Sequence, residues 1–177
     1  MHLPPLTTTR LHIRPFTLDD VAAVHTYTSN PHVMAYIDDG ALTLDQTRNF
    51  VQQHLDDDAK AFAVTLNATN DLAGHIIAHP WFAHRTFEIG WVFHPTYHDH
   101  GYATEAARAV MDYCFETLDT HRVIATCQPE NPASYRVMEK LGMRREAHFR
   151  QCIYRGNDIW WDEYFYAILD TEWRAQQ

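Results

Sequence analysis

The chain has 177 residues, enough for one compact domain with a sizeable core and short for two. Hydrophobic residues make up 46% and charged residues 21%, an ordinary globular composition, and no stretch approaches the length of a membrane span. The net charge of −9 argues against a general nucleic-acid binder, since neutralising phosphate takes clustered Lys and Arg, and it suits a partner or substrate carrying an amine.

The N-terminal "RLHIRPF" alternates apolar and polar residues, the pattern of a half-buried strand. Thr17 with Asp20 predicts a capping box opening a short helix, with Val21 and Val24 turned inward. Asn30-Pro31 breaks that helix. Thr43 with Gln46 predicts a second capped helix, with Leu44, Phe50, Val51 and Leu55 on one face. Three strand-like segments follow. "AFAVTL" places Phe62, Val64 and Leu66 on one side, and "NATNDL" predicts a hairpin turn into "LAGHIIAHPWF". "TFEIGWVF" sets Phe87, Ile89, Trp91 and Phe93 against Glu88, Gly90 and Val92.

The clearest helix begins after "PTYHDHGY", with Ala103, Ala106, Ala107, Val110, Met111, Cys114 and Leu118 at helical spacing. "HRVIATCQ" reads as a strand. Asn131-Pro132 reads as an N-cap with proline in the first turn, and Gly142 as the stop. "MRREAHFRQCIY" and "IWWDEYFYAIL" are two more strands joined by an "RGND" turn. The order β-α-α-β-β-β-α-β-α-β-β predicts one mixed α/β domain over residues 1–177.

His98-Asp99-His100 admits two readings. As a metal site it lacks a third ligand at helical spacing, which weighs against a metal-dependent hydrolase. As the mouth of a helix it is an anion site, because the first N–H groups of a helix have no internal partner and the helix dipole favours negative charge there. Gly101 then admits close backbone approach. Cys114, Cys127 and Cys152 are odd in number and form no CxxC, which reads as reduced thiols in a cytoplasmic protein. No signal peptide fits the start, where Pro4 and Pro5 interrupt any apolar run.

From Thr9 to Trp173 the chain resembles the GNAT superfamily of N-acetyltransferases, and within it the RimJ/RimL-type branch that acetylates protein N-termini and related amines. Four segments carry the likeness in order: "TTRLHIRPFTLDD", "FEIGWVFHPTYHDHGYATEA", "NPASYRVMEKLGM" and "WWDEYFYAILDTEW". The resemblance implies a mostly antiparallel sheet of about seven strands with helices on both faces, and a core over about residues 9–173. It implies acetyl-CoA as co-substrate, no metal, an amine acceptor, and a monomer or homodimer that binds neither nucleic acid nor membrane. The family's diphosphate motif, Gln/Arg-x-x-Gly-x-Gly/Ala, falls on His98–Ala103; Gly101 and Ala103 fit, while His98 replaces the usual Gln or Arg. The implied cofactor contacts are Val92 and Phe93 through their main chain, His98, His100, Gly101, Tyr102, Ala103 and Thr104 in the loop and first turn, and Asn131 with Ser134 on the next helix.

Acetyl transfer from a thioester to an amine needs a base for the amine, donors for the developing oxyanion, and a proton for the departing thiolate. Glu88 is the candidate base, with Asp162, Glu163 and His75 as rivals; its alternative role is a solvated sheet residue or a partner for an arginine. Ser134 is the candidate acid, since the tyrosine that many relatives place four positions later is Met138 here; its alternative role is a first-turn cap. "NPHVMAYI", Trp81 and Trp91 are candidates for the acceptor cleft or for the core. A non-catalytic acyl-CoA sensor would keep the loop and dispense with Glu88 and Ser134. The acceptor itself, whether a peptide N-terminus, polyamine, amino acid or aminoglycoside, is left open.

Overall fold

The structure is a computed structural model that describes residues 3–56 and 58–177. Its strands are β1 (Leu6–Thr7), β2 (Leu11–Arg14), β3 (Ala61–Leu66), β4 (Leu72–Pro80), β5 (Thr86–Phe93), β6 (Arg122–Cys127), β7 (Arg144–Tyr154) and β8 (Trp160–Leu169). Its helices are α1 (Val21–Thr28), α2 (Leu44–Gln52), α3 (Tyr102–Thr117), α4 (Pro132–Lys140) and α5 (Asp170–Arg174), with short 3-10 turns at Leu18–Asp20 and Pro95–Tyr97. Strand order is β1-β2-β3-β4-β5-β6-β8-β7. The pairs β1/β2, β2/β3, β3/β4, β6/β8 and β7/β8 are antiparallel. β5 and β6 run parallel. A parallel pair needs a crossover, and α3 supplies it.

The predicted elements are all present, with two additions. β1 is a two-residue strand paired Leu6↔Ile13 and Thr7↔His12, too short to show a period. α5 forms because the Glu172 carboxylate accepts the Leu169 N–H at 2.8 Å and so caps the helix start. Two residues predicted to share the apolar face are turned out: Leu44 and Leu55 are exposed, while Thr47 and Val51 are buried and Phe50 is partly buried. β3 is buried on both sides along Ala61–Thr65, not on the single face its alternation suggested.

The chain divides into two compact units, one holding the chain up to His79 with Gly90–Val110, the other Pro80–Ile89 with Met111–Gln177. The first unit packs Phe16, Val24, Tyr27, Met34, Val51, Ala61, Ala63 and Val92 into one apolar cluster. Met34 places the "NPHVMAYI" segment in that core. Arg14 donates to Asp20 at 2.7 and 2.8 Å, and the same carboxylate accepts the Thr17 N–H at 2.7 Å, so the capping box is reinforced by an ion pair. The second unit buries Val123, Ile124, Ala125, Met138, Leu141 and Ile168. Trp173 closes it, stacking on Phe115 at 5.2 Å and donating Nε1–H to Asp112 at 2.7 Å. α4 ends in a paired turn, Gly142 N–H to Glu139 O at 3.0 Å and Met143 N–H to Met138 O at 3.1 Å, with Gly142 at φ +80°.

Candidate active site

In the first unit, β5 ends at Phe93 and the loop to α3 begins. His94 caps the next turn, its Nδ1 accepting the Thr96 N–H at 3.2 Å. His98 Nε2 bonds the Phe93 carbonyl at 2.9 Å, and His100 Nδ1 bonds the His98 carbonyl at 2.6 Å. A carbonyl only accepts, so those ring nitrogens carry the protons and both rings are tied to main chain. Among the described residues no group of three or more His, Cys, Asp or Glu side chains is placed to hold a metal.

Asp99 and Gly101 have φ of +62° and +79°. Asp is one of the few side chains tolerated there, which accounts for a carboxylate at that turn. A Cβ built on Gly101 would meet only Arg10 Nη2, at 3.5 Å, so backbone conformation rather than space selects glycine. α3 then opens with Tyr102, Ala103 and Thr104, each half-buried, and Glu105 N–H bonds Gly101 O at 3.0 Å. His100 lies stacked on Tyr102, centroids 5.6 Å apart.

Val92 and Phe93 are buried at the end of β5. Gly74 lies against them: a Cβ there would come within 2.4 Å of Val92 O and 2.7 Å of Phe93 Cα. Gly74 carries a sequence signal of its own, since an isolated glycine inside a strand marks a close backbone approach. Arg10, just before β2, also reaches this loop. Arg10 donates Nη1–H to His100 O at 2.9 Å and Nε–H to Glu105 Oε2 at 2.6 Å, and its guanidinium lies 4.7 Å over the Tyr102 ring. No local pattern marks that residue; only the tertiary fold brings it to the loop.

His75, the rival base, is enclosed. Its Nδ1 shares a 2.8 Å hydrogen bond with the Tyr27 hydroxyl, and Phe16 and Phe50 pack on its ring. Burial pushes its pKa down to about 3, so it stays neutral inside the core.

In the second unit the strand register sets a row of side chains on one face. Glu88 pairs with Ile124 and Ile124 with Ala167; Thr126 pairs with Phe165, and Glu163 with Phe149. Directly paired residues and those two apart share a face, so Glu88, Thr126, Phe165, Glu163 and Phe149 stand together. With Trp81, Glu146 and Ala147 they line a cavity of about 580 Å³, a size that suits a small ligand. Trp81 and Phe149 flank Phe165 at 5.7 and 6.2 Å. Partial burial raises the Glu146 pKa, but the hydrogen bonds and charges of Arg122 and Arg144 outweigh it and hold it below the usual range. Glu88 and Glu163 bring two further carboxylates to this wall.

Asp162, the other rival, belongs elsewhere. Its carboxylate accepts the Gln151 N–H at 2.8 Å and lies 2.7 Å from His148 Nε2, holding the irregular stretch of β7 between Phe149 and Ile153. Trp91 is half-buried and does not line the cavity, whereas Trp81 does.

Asn131 caps α4, its Oδ1 accepting the Ser134 N–H at 3.2 Å. The Ser134 side chain hydrogen-bonds the Cys127 thiol; burial nonetheless pushes that thiol up to about 12, so it stays protonated. Ser134 is not among the residues lining the Glu88 cavity. Met138 is buried in the core of the second unit.

Residues 10–144 match the family described as acetyltransferase (GNAT) domain. An uncharacterised N-acetyltransferase of Bacillus subtilis, YnaD, is 51% identical over 168 residues, covering 95% of this chain and 98% of the relative. The crystal structure of a GNAT-family acetyltransferase from Bacillus anthracis superposes with a TM-score of 0.91 at 53% identity, over 94% of this chain and 99% of that one. A spermidine N-acetyltransferase from Vibrio cholerae, solved with CoA and spermine, shares the fold, with a TM-score of 0.80 at 22% identity over 94% and 99% of the two chains.

Proposed function

The chain belongs to the GNAT family of acetyltransferases, and from that premise we propose that it transfers the acetyl group of acetyl-CoA to a primary amine by direct attack in a ternary complex. The observation that carries this reading is Glu88 in the wall of the 580 Å³ cavity, beside Thr126 and aromatic side chains. A carboxylate in such a wall takes the proton of a bound ammonium directly or through one water. Acetyl-CoA supplies the activated acyl group; the protein's own residues bind, orient and move protons.

The loop residues fit a diphosphate. Gly101 has space around it, two residues of the loop have the left-handed backbone that turns successive N–H groups to one side, and α3 presents the first-turn N–H groups of a sixteen-residue helix. Main-chain N–H groups at Val92 or Phe93 serve as donors to the carbonyl oxygen. The β5/β6 ladder supports this, because its register covers only Thr86–Glu88 while β5 continues to Phe93. Ser134 serves as the proton donor to the departing thiolate, with Asn131 holding the start of α4.

For the acceptor we favour a small cationic amine with an apolar body. Glu88 and Glu163 suit the charge, Trp81, Phe149 and Phe165 suit the body, and the net charge of −9 attracts cations. The four ordered segments similar to the RimJ/RimL-type branch keep a peptide N-terminus as the second reading. Three unpaired cysteines suit a cytoplasmic enzyme. Acetyl-CoA-dependent release of free thiol, screened across polyamines, arylalkylamines, amino acids and short peptides, tests the proposal. Release that depends on an added small amine supports it, turnover on peptides alone shifts the acceptor to the second reading, and binding of acetyl-CoA without turnover on any amine overturns it.

A further inference from the structure

The diphosphate loop contains an electrostatic contradiction. Glu105 lies in the first turn of α3, where a carboxylate helps the bare helix but repels a bound diphosphate. Its charge is not left facing the loop. Glu105 Oε1 accepts the Thr8 hydroxyl at 2.6 Å and the Arg10 N–H at 2.9 Å, and Oε2 accepts Arg10 Nε–H at 2.6 Å. Burial acts to raise its pKa, but these hydrogen bonds prevail and keep it ionised and paired.

The same guanidinium grips the loop. Arg10 Nη1 donates to His100 O at 2.9 Å, and Nη2 lies nearest the position a Gly101 Cβ would take. In a trans peptide the C=O and the following N–H point in opposite directions. Holding His100 O towards Arg10 therefore fixes the Gly101 N–H on the other side of the peptide plane. Tyr102 backs the guanidinium as a cation–π partner at 4.7 Å. All of these groups belong to the first unit.

We infer that Arg10 is a positioning residue of the acyl-CoA site: it neutralises Glu105 beside the diphosphate and orients the His100–Gly101 peptide to present its N–H to that group. The inference rests on the acetyl-CoA reading above. Lysine cannot do both tasks, because one ammonium does not reproduce a planar fork that holds a carboxylate and a carbonyl together.

The test is calorimetric titration of CoA into the full chain and its variants, with the melting temperature of each variant measured without ligand. Arg10→Ala is expected to weaken CoA about tenfold, and Arg10→Lys about threefold. Adding Glu105→Gln to Arg10→Ala is expected to recover about threefold, since the uncompensated charge is then gone. A merely structural role predicts no such recovery. If wild type itself fails to bind CoA, the acetyl-CoA reading fails. If wild type binds and Arg10→Ala binds equally well, or the double variant is no better than Arg10→Ala, the inference is overturned while that reading stands. Should Arg10→Ala not fold, Arg10→Lys alone and with Glu105→Gln carries the same comparison.

Discussion

Glu88 and Glu163 stand on the same face of the sheet, two strands apart, with Thr126 and Phe165 between them. The register puts their Cα atoms roughly 16 Å apart, from about 4.8 Å per strand and about 3.3 Å per residue. One amine nitrogen does not meet both at that separation, so on the proposed reading the two carboxylates would act on different parts of an acceptor. Glu163→Gln is therefore expected to raise the amine KM about tenfold, with the acetyl-CoA KM and the kcat at saturating amine little changed. Steady-state kinetics with each substrate varied in turn check this; a fall in kcat with unchanged amine KM would reverse the two assignments.

Gly101 and His98 divide backbone from side-chain contributions in the loop. Gly101→Val forces a β-branched residue into φ +79° and is expected to weaken CoA by at least about tenfold. His98→Gln loses only the ring's bond to Phe93 O and is expected to change affinity by less than about threefold. A binding titration showing the opposite order would restore a direct side-chain contact from His98.

Gly74→Ala tests the packing under Val92 and Phe93. The added methyl meets main-chain atoms, which cannot rotate away. The expected cost is about 1–3 kcal/mol of stability in urea denaturation. A rise in the acetyl-CoA KM is expected alongside, because the end of β5 has to shift. Wild-type stability in this variant would show that β4 and β5 approach less closely.

These cases show what was readable from the sequence. Hydrophobic period and capping boxes were enough for seven strands and four helices, because those signals are local: Thr43 with Gln46 caps α2 by the predicted pair of bonds. The β5-loop-α3 passage around Gly101 was legible too, since a strand, a glycine and a helix follow one another directly. Arg10 was not, because its partners His100 and Glu105 lie some ninety positions away and no period links them. The convergence of Glu88, Glu163 and Phe165 needed the β5-β6-β8 order, which pairing in space decides and alternation along one strand does not. Leu44 and Leu55 show the reverse failure, being apolar residues at helical spacing that the tertiary fold leaves in solvent.

Stability should carry the signature of His75. Its pKa in the folded chain lies far below the unfolded value of 6.5, so the unfolded state binds the extra proton as pH falls. The stabilisation is complete above pH 6.5 and declines towards pH 3, at about 1.4 kcal/mol per pH unit. Asp20, Glu105, Glu146, Asp162 and Glu172 also have lowered values, but unfolded carboxylates take up protons mainly below about pH 5, so they contribute under that range. The difference in slope between wild type and His75→Gln above about pH 5 therefore reports His75. Urea denaturation at pH 7 and pH 5 should show wild type losing about 2 kcal/mol and His75→Gln losing clearly less. Equal losses would mean that His75 is not held neutral in the core.

In the proposed reaction Glu88 removes the amine proton during acetyl transfer. Thiol release from acetyl-CoA with an accepted amine, compared between wild type and Glu88→Gln, tests it most directly. A fall in kcat of about a hundredfold or more is expected, with CoA affinity within about twofold of wild type. Full turnover by Glu88→Gln would contradict it.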